Sequence, residues 1–346
     1  MARGKFANKQ LAYLRTCQFA FRPLPFIFKS MNRILFSDKV HPLLWESLSA
    51  QGFDCHDGST ISLEETERLL PQFDGIVVRS RFRIDQAFLS KATRLRCVAR
   101  WGVGTEHIDL EAAAARGVAV LTSPEGSRDT VGEHTMALLL NLMNHIGRAD
   151  RQVRAGQWIR AANRATELKG KTVGIIGYGN MGQAFAQRLK GFGCRVLAYD
   201  KFRTNYGDVF AAEAELETLF RESDIVSLHI PYLTENHHFV NDAFLSSFHK
   251  PIYLINTARG LVLDTAALVA HLQSGKVPGA ALDVHEYEEM SFSHLEPDAL
   301  PEPFQYLRRS DNVVLTPHIA GWSHEAEEGH ARVLAEKIGR LFGEER

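Results

Sequence analysis

Three short segments late in the chain combine a cation, carboxylates and an imidazole: Asn256-Thr-Ala-Arg-Gly260, Leu282-Asp-Val-His-Glu-Tyr-Glu-Glu289 and Leu315-Thr-Pro-His-Ile-Ala-Gly-Trp322. A guanidinium grips a planar anion through parallel hydrogen bonds. An imidazole moves protons near neutral pH, and a carboxylate beside it fixes its orientation. Together they are what a proton-coupled reaction on an anionic hydroxy or keto compound needs. Upstream, Gly177, Gly179 and Gly182 have the spacing G-x-G-x-x-G. Val173–Ile176 before them reads as a strand, Gln183–Phe192 after them as a helix, and Arg195–Tyr199 as a second strand ending in Asp200. Strand, glycine turn, helix, strand and acid follow the order of a dinucleotide site. Gly177 permits the tight turn, Gly179 lets the backbone approach a pyrophosphate, and Gly182 lets helix and strand pack closely. Asp200 would accept from ribose hydroxyls and repel a 2′-phosphate, so NAD is expected rather than NADP, although Lys201 and Arg203 lie close by.

These residues need strand ends to hold them. From Ile34 onward strand and helix patterns alternate, which predicts an α/β fold with mostly parallel sheets. Early strands are expected at Ile34–Ser37, Gly75–Ser80, Arg96–Trp101 and Val118–Thr122. Helices are expected at His41–Gln51, Ile84–Lys91 and Leu110–Arg116. A long helix is expected across Thr130–Ala155, with Val131, Met136, Leu140, Met143 and Ile146 on one face. The second series runs through Thr172–Ile176, Arg195–Tyr199, Ile225–His229, Tyr253–Asn256, Ala280–Asp283 and Val313–Thr316. A last helix, Glu325 to Phe342, needs a surface to cover, and the first unit supplies one. Glu286–Pro303 reads as a loop. The expected fold class is therefore two doubly wound, Rossmann-like domains with a cleft between them. Residues 31–127 and 320–346 would form a discontinuous substrate domain, and 128–319 the dinucleotide domain.

The chain has 346 residues, 40 basic and 41 acidic, so no basic field points to nucleic acid. No apolar run approaches the length of a membrane span. Its four cysteines lack C-x-x-C pairing, which argues against zinc or a disulfide framework and suits a reducing, cytoplasmic setting. No metal is expected. Residues 1–30 carry six basic and no acidic residues, and without them the chain has 34 basic and 41 acidic residues. They read as an upstream extension before Met31, with an organelle transit peptide as the alternative.

Arg-Gly after a strand, Asp-Val-x-x-x-Glu and Thr-Pro-His-Ile-Ala-Gly, in that order behind a mid-chain glycine fingerprint, resemble the D-isomer-specific 2-hydroxyacid dehydrogenase family. The resemblance runs from about Arg33 to the C-terminus and is nearest to a phosphoglycerate dehydrogenase-like branch. It implies Arg259 as the catalytic arginine, His318 as the acid–base histidine and Glu288 as its carboxylate partner. Glu289 stands where the family often has proline, and Glu286 is also near. The resemblance sets Asn180 and Met181 within the cofactor loop and His229, Thr257, Asp283 and Gly321 around the cofactor; His285 and His229 are the competing histidines. Val77-Val-Arg-Ser80 and Trp101-Gly-Val-Gly104 resemble the substrate segments, so Arg79, Ser80, Val103 and Gly104 would meet an anionic substrate. Thr105-Glu-His107 replaces the family's usual small acidic–Asn pair. Arg81, Arg83 and Arg100 add charge that suits a phosphate.

The implied reaction is NAD-dependent oxidation of 3-phospho-D-glycerate to 3-phosphohydroxypyruvate, in serine biosynthesis. Glyoxylate or hydroxypyruvate reduction and 4-phosphoerythronate oxidation are alternatives, and an NAD-sensing corepressor-like binding protein is the alternative of another class. The long central helix resembles the family's dimer-forming region, which implies a homodimer.

Overall fold

The computed structural model describes residues 31–288 and 297–343. Residues 1–30 and the 289–296 part of the expected Glu286–Pro303 loop lie outside the described residues. Among the described residues, β1 (Arg33–Phe36), β2 (Asp54–Asp57), β3 (Gly75–Val78), β4 (Cys97–Arg100) and β5 (Ala119–Leu121) form one sheet in the order β2-β1-β3-β4-β5. A second sheet holds β6 (Thr172–Ile176), β7 (Arg195–Tyr199), β8 (Ala212–Glu213), β9 (Ile225–Leu228), β10 (Tyr253–Asn256), β11 (Gly279–Leu282) and β12 (Val313–Leu315). Its order is β12-β11-β10-β9-β6-β7-β8. The strand pairings within both sheets are parallel.

Helices on both faces explain the sequences of the inner strands. β3 reads Gly-Ile-Val-Val and β9 reads Ile-Val-Ser-Leu, with every residue buried. Along β1 the side chains alternate: Ile34 and Phe36 enter one core, and Leu35 enters the other. The first of these cores also takes Ala331, Leu334, Ile338 and Phe342 from the terminal helix His324–Gly343. That helix therefore returns to the first sheet. Leu139, Leu142 and Met143 of the Pro124–Asn144 helix pack instead with Val173 and Ile175 of the second sheet.

Two departures from the sequence reading have plain causes. The edge strands β2 (Asp-Cys-His-Asp) and β8 (Ala-Glu) were not anticipated, because edges need little apolar surface and their pairing is made by backbone. The helix expected across Thr130–Ala155 is two: Pro124–Asn144 and Ile146–Arg154, separated by His145 in the left-handed region (φ 54°). Asn141 Oδ1 accepts the Gly147 N–H at 2.7 Å and stabilises the break. The second helix buries none of its side chains.

Gly126, near the start of the Pro124–Asn144 helix, meets Gly329 of the terminal helix backbone to backbone. A Cβ on Gly126 would lie 2.6 Å from the Gly329 carbonyl carbon and 2.5 Å from the His330 nitrogen. Only glycine permits that approach. Beside the crossing, His330 Nδ1 lies 3.0 Å from the Ser123 carbonyl oxygen and 2.8 Å from its hydroxyl. The same hydroxyl accepts the Gly102 N–H at 3.2 Å. No helix among the described residues is long and apolar enough to cross a membrane.

Candidate active site

The C-terminal ends of the second sheet's strands carry the chemistry. β6 leads into Gly177, β7 into Asp200, β10 into Arg259, β11 into Asp283 and Glu288, and β12 into His318. Ligands of open parallel sheets bind at that edge.

The glycine loop fits a dinucleotide. Gly177 has φ 91°, and a Cβ there would lie 2.6 Å from the His229 carbonyl oxygen. A Cβ on Gly182 would strike the Gly177 carbonyl. By contrast a Cβ on Gly179 would face open space, which is room a pyrophosphate can use. Gly179 caps the Asn180–Leu189 helix with no side-chain bond to the first turn, so the N–H groups of Asn180, Met181 and Gly182 lie at an end suited to anions. The Asp200 carboxylate accepts from the Tyr178 N–H at 2.8 Å and the Phe202 N–H at 3.0 Å. A carboxylate has about four acceptor positions, so capacity for ribose hydroxyls remains. Arg203 donates to the Tyr178 carbonyl, and Lys201 pairs with Glu235 at 2.7 Å.

His318 and Glu288 meet. Both Glu288 oxygens lie 3.1 Å from His318 Nδ1, and the two side chains are 16% and 23% exposed, Glu288 the deeper. A carboxylate on Nδ1 makes that nitrogen the donor, and in the neutral ring the basic lone pair is then on Nε2. The neighbouring candidates are used elsewhere. Glu286 accepts from His238 at 2.8 Å and from the Thr265 N–H at 2.9 Å. Buried His285 donates from Nε2 to the Thr316 carbonyl at 2.9 Å. Glu289 lies outside the described residues. His229 bonds Ser227 at 2.9 Å, and burial pulls its imidazole down to about 3, so it is a neutral ring.

The backbone that presents His318 is itself clamped. His318 has φ 56°, and its N–H donates to the Asp283 carbonyl at 2.7 Å. The Asp283 carboxylate then accepts from the N–H groups of Ile319 (2.9 Å) and Ala320 (2.8 Å) and from the Thr316 hydroxyl (2.6 Å), with His134 Nε2 at 3.4 Å. Burial opposes the charge, but these donors outweigh it and hold the carboxyl at about 2. Asp283, expected from the sequence beside the cofactor, is thus wholly buried and tied to the His318 turn. Thr257, expected there too, is buried with its hydroxyl 3.1 Å from that of Thr135. Gly321 faces Val131 and Ser127.

Arg259 is set by Asn256, whose side chain donates to the Arg259 carbonyl at 3.0 Å and accepts the Ala258 N–H at 3.0 Å. Its guanidinium reaches across to the other sheet's loop: Nε donates to Glu106 Oε1 at 2.5 Å, and Nη1 to the Ala258 carbonyl at 2.7 Å. A Cβ on Gly104 would strike both Glu106 and Arg259, so the expected substrate segment and the arginine are in direct contact. Arg100 donates to the Gly104 carbonyl at 2.6 Å, and burial, then the Arg259 cation, pulls its guanidinium down to about 10. Arg79 lies 3.8 Å from Glu327, and its N–H donates to Asp38 at 2.9 Å. Val103 and Ser80 are half-buried beside these residues.

One expected phosphate ligand is not available. Arg81 donates to four backbone carbonyls, those of Ser37, Gly58, Ser59 and Ile61, and braces the loop after β2. Arg83 is exposed. Glu106 and His134 were not selected as site residues by spacing. Their partners lie 153 residues away in one case, Arg259, and 182 in the other, Thr316, and no local pattern announces such pairs. Among the described residues no His, Cys, Asp and Glu cluster could hold a metal ion.

Comparisons with known proteins agree with this arrangement. Residues 136–320 match the model described as D-isomer specific 2-hydroxyacid dehydrogenase, NAD binding domain. The chain is 36% identical over 284 residues to the hydroxypyruvate reductase of Thermotoga maritima, covering 81% of this chain and 88% of that protein. It is 33% identical over 308 residues to the D-3-phosphoglycerate dehydrogenase of Archaeoglobus fulgidus, covering 88% of this chain but 56% of that one. The crystal structure of D-lactate dehydrogenase from Aquifex aeolicus, complexed with NAD and lactic acid, superposes with a TM-score of 0.75 at 30% identity, covering 90% of this chain and 96% of that chain.

Proposed function

The chain belongs to the D-isomer specific 2-hydroxyacid dehydrogenase family, an NAD-dependent oxidoreductase family, and from that premise we propose that it interconverts 3-phospho-D-glycerate and 3-phosphohydroxypyruvate. The observation that carries the substrate is the arginine cluster. Arg100 bonds the carbonyl of Gly104, the residue that Arg259 also crowds, and after burial the Arg259 and Arg79 cations disfavour the Arg100 charge. A substrate with a carboxylate at one end and a phosphate at the other relieves that repulsion at both ends.

In this reading Arg259 and the backbone around Val103 and Gly104 hold the carboxylate. Arg79 and Ser80 face the phosphate end, and Arg100, whose guanidinium donates to the Gly104 and Trp101 carbonyls, adds its charge nearby. His318 takes the hydroxyl proton in oxidation and returns it in reduction, with Glu288 fixing its tautomer and orientation. Bound NAD supplies the hydride acceptor, held by residues 177–182 and Asp200. His229, Thr257, Asp283 and Gly321 shape the nicotinamide side, Thr257 and Asp283 as buried supports. Residues 31–127 with 320–346 form the substrate side and 128–319 the cofactor side, so movement of one against the other would exclude water.

A second reading has support of its own. The Thermotoga relative is named a hydroxypyruvate reductase, and the loss of Arg81 to backbone carbonyls leaves the phosphate end with fewer cations than the sequence suggested. Reduction of hydroxypyruvate or glyoxylate uses the same Arg259, Glu288 and His318. We further propose a homodimer formed around residues 146–159, where Ile146, Val153, Trp158 and Ile159 are exposed.

Purified protein with NAD and 3-phospho-D-glycerate, followed by nicotinamide absorbance, tests the substrate. D-Glycerate, 4-phospho-D-erythronate, hydroxypyruvate and glyoxylate serve as comparisons. Efficient turnover of only the phosphate-free compounds sinks the phosphoglycerate reading. Turnover of none, with NAD still bound, sinks the enzymatic one.

A further inference from the structure

We infer that Glu106 competes with the substrate's carboxylate for Arg259 and so sets the affinity of the site. This rests on the reading that Arg259 holds that carboxylate. Glu106 follows β4 in the first sheet, whereas Arg259 follows β10 in the second, and their 2.5 Å bond spans the two.

A guanidinium offers its N–H groups in one plane, and two of them serve a bidentate carboxylate. On Arg259 one edge is already spent, because Nη1 donates to the Ala258 carbonyl of its own turn. The remaining edge, Nε with Nη2, carries Glu106 at Nε. Nη2 and Glu106 Oε2 both fill the space a side chain on Gly104 would take. The Glu106 carboxylate therefore occupies the arginine edge proposed for the substrate and the space in front of Gly104. Two carboxylates cannot hold both at once. The like charge of Glu106 also opposes a second anion entering beside it.

Side-chain length matters to this contact. Glutamate has one methylene more than aspartate, and that extra length carries its carboxylate to Arg259 on the other sheet. Burial works against the Glu106 charge, but the Arg259 cation outweighs it and holds the carboxyl below the usual carboxylate range. The competitor is thus ionised throughout the neutral range. Its side chain is 34% exposed, so it can swing aside into water when a substrate arrives.

The apparent affinity of a site falls by the fraction of molecules in which it is accessible. If Glu106 is docked in roughly nine molecules out of ten, its removal tightens binding about tenfold. Steady-state kinetics on the full chain with NADH and 3-phosphohydroxypyruvate, hydroxypyruvate and glyoxylate test this in the wild type, Glu106→Gln and Glu106→Asp. Calorimetric binding of oxamate, an unreactive 2-keto acid analogue, to the NADH complex is measured alongside, and thermal melting checks the fold. In both variants KM and the oxamate Kd are expected to fall about tenfold, with kcat held within about twofold. A KM and oxamate Kd that stay constant or rise in folded variants overturn the inference, and a rise would make Glu106 a support for Arg259 instead. If no 2-keto acid is turned over while oxamate binds more tightly to the variants, the reaction proposed above fails and the competition stands.

Discussion

The backbone N–H of His318 donates to the carbonyl of Asp283 at 2.7 Å. The next two N–H groups, from Ile319 and Ala320, go to the Asp283 carboxylate. One buried residue thus holds three consecutive donors of a turn in the left-handed region. A non-glycine residue in that region costs on the order of 1–2 kcal/mol, which these bonds offset.

Asp283→Asn should therefore damage both stability and catalysis. An amide presents one acceptor oxygen where the carboxylate presents two, and at least one donor is left unsatisfied. A loss of about 1–3 kcal/mol in unfolding free energy is expected, with a fall in kcat and little change in NAD affinity. Urea unfolding and cofactor titration measure these. A variant with full kcat would show that the clamp does not position His318.

His318→Ala should lose about 10²–10⁴-fold in kcat while retaining cofactor binding. Glu288→Gln should lose a comparable part of that, because an amide can point its NH₂ at Nδ1 and favour the wrong tautomer. Glu288→Asp keeps the charge and should retain more activity than Glu288→Gln. Stopped-flow hydride transfer compares the three, and equal rates for wild type and Glu288→Gln would remove Glu288 from the mechanism.

Asp200→Ser should narrow the preference for NAD over NADP by about tenfold or more, since a carboxylate facing a 2′-phosphate is a like-charge contact. Arg203 and Lys201 would then be the nearest cations. Affinity for NAD should fall as well, because Asp200 also anchors the Tyr178 N–H. The ratio of kcat/KM for the two cofactors reads the change; an unaltered ratio contradicts the assignment.

The buried histidines predict an acid limit to stability. Burial holds His330 down to about 4, His229 to about 3 and His107 to about 4, against an ordinary 6.5. Each is depressed in the folded chain, so the unfolded chain binds protons first as pH falls. Stability is complete above about 6.5 and declines toward 4. Asp283, depressed from 3.8 to about 2, adds a further loss below pH 4, worth about 2 kcal/mol. Thermal midpoints from pH 8 to pH 3 should be flat, then fall from about 6.5. His330→Gln should flatten the first part of that fall, and a midpoint that rises on acidification contradicts the neutral assignments.

Much of the frame was legible because its physics is local. Val173–Ile176, the glycine spacing and Asp200 lie within one strand–helix–strand unit, and Arg259, Asp283 and His318 each follow a short, mainly apolar strand. What escaped was not local. β2 is polar and held by backbone pairing, so its side chains say little. Arg81 looks like a free cation until the carbonyls around it are known. The break at His145 depends on Asn141 turning back to Gly147. Glu106 looked like a departure from a pattern, and its meaning lies in its reach to a residue on the other sheet.

The backbone contact of Gly126 with Gly329 leaves the crossing no room for even a methyl group. One of the two helices packs on the second sheet and the other on the first, so an alanine at either glycine would wedge the supports of both sheets apart. Side-chain bonds from Ser123 to His330, Thr130 to Ser323 and Lys337 to Glu125 tie the same pair of helices around that point. The crossing thus works as a rivet whose shank has the thickness of bare backbone.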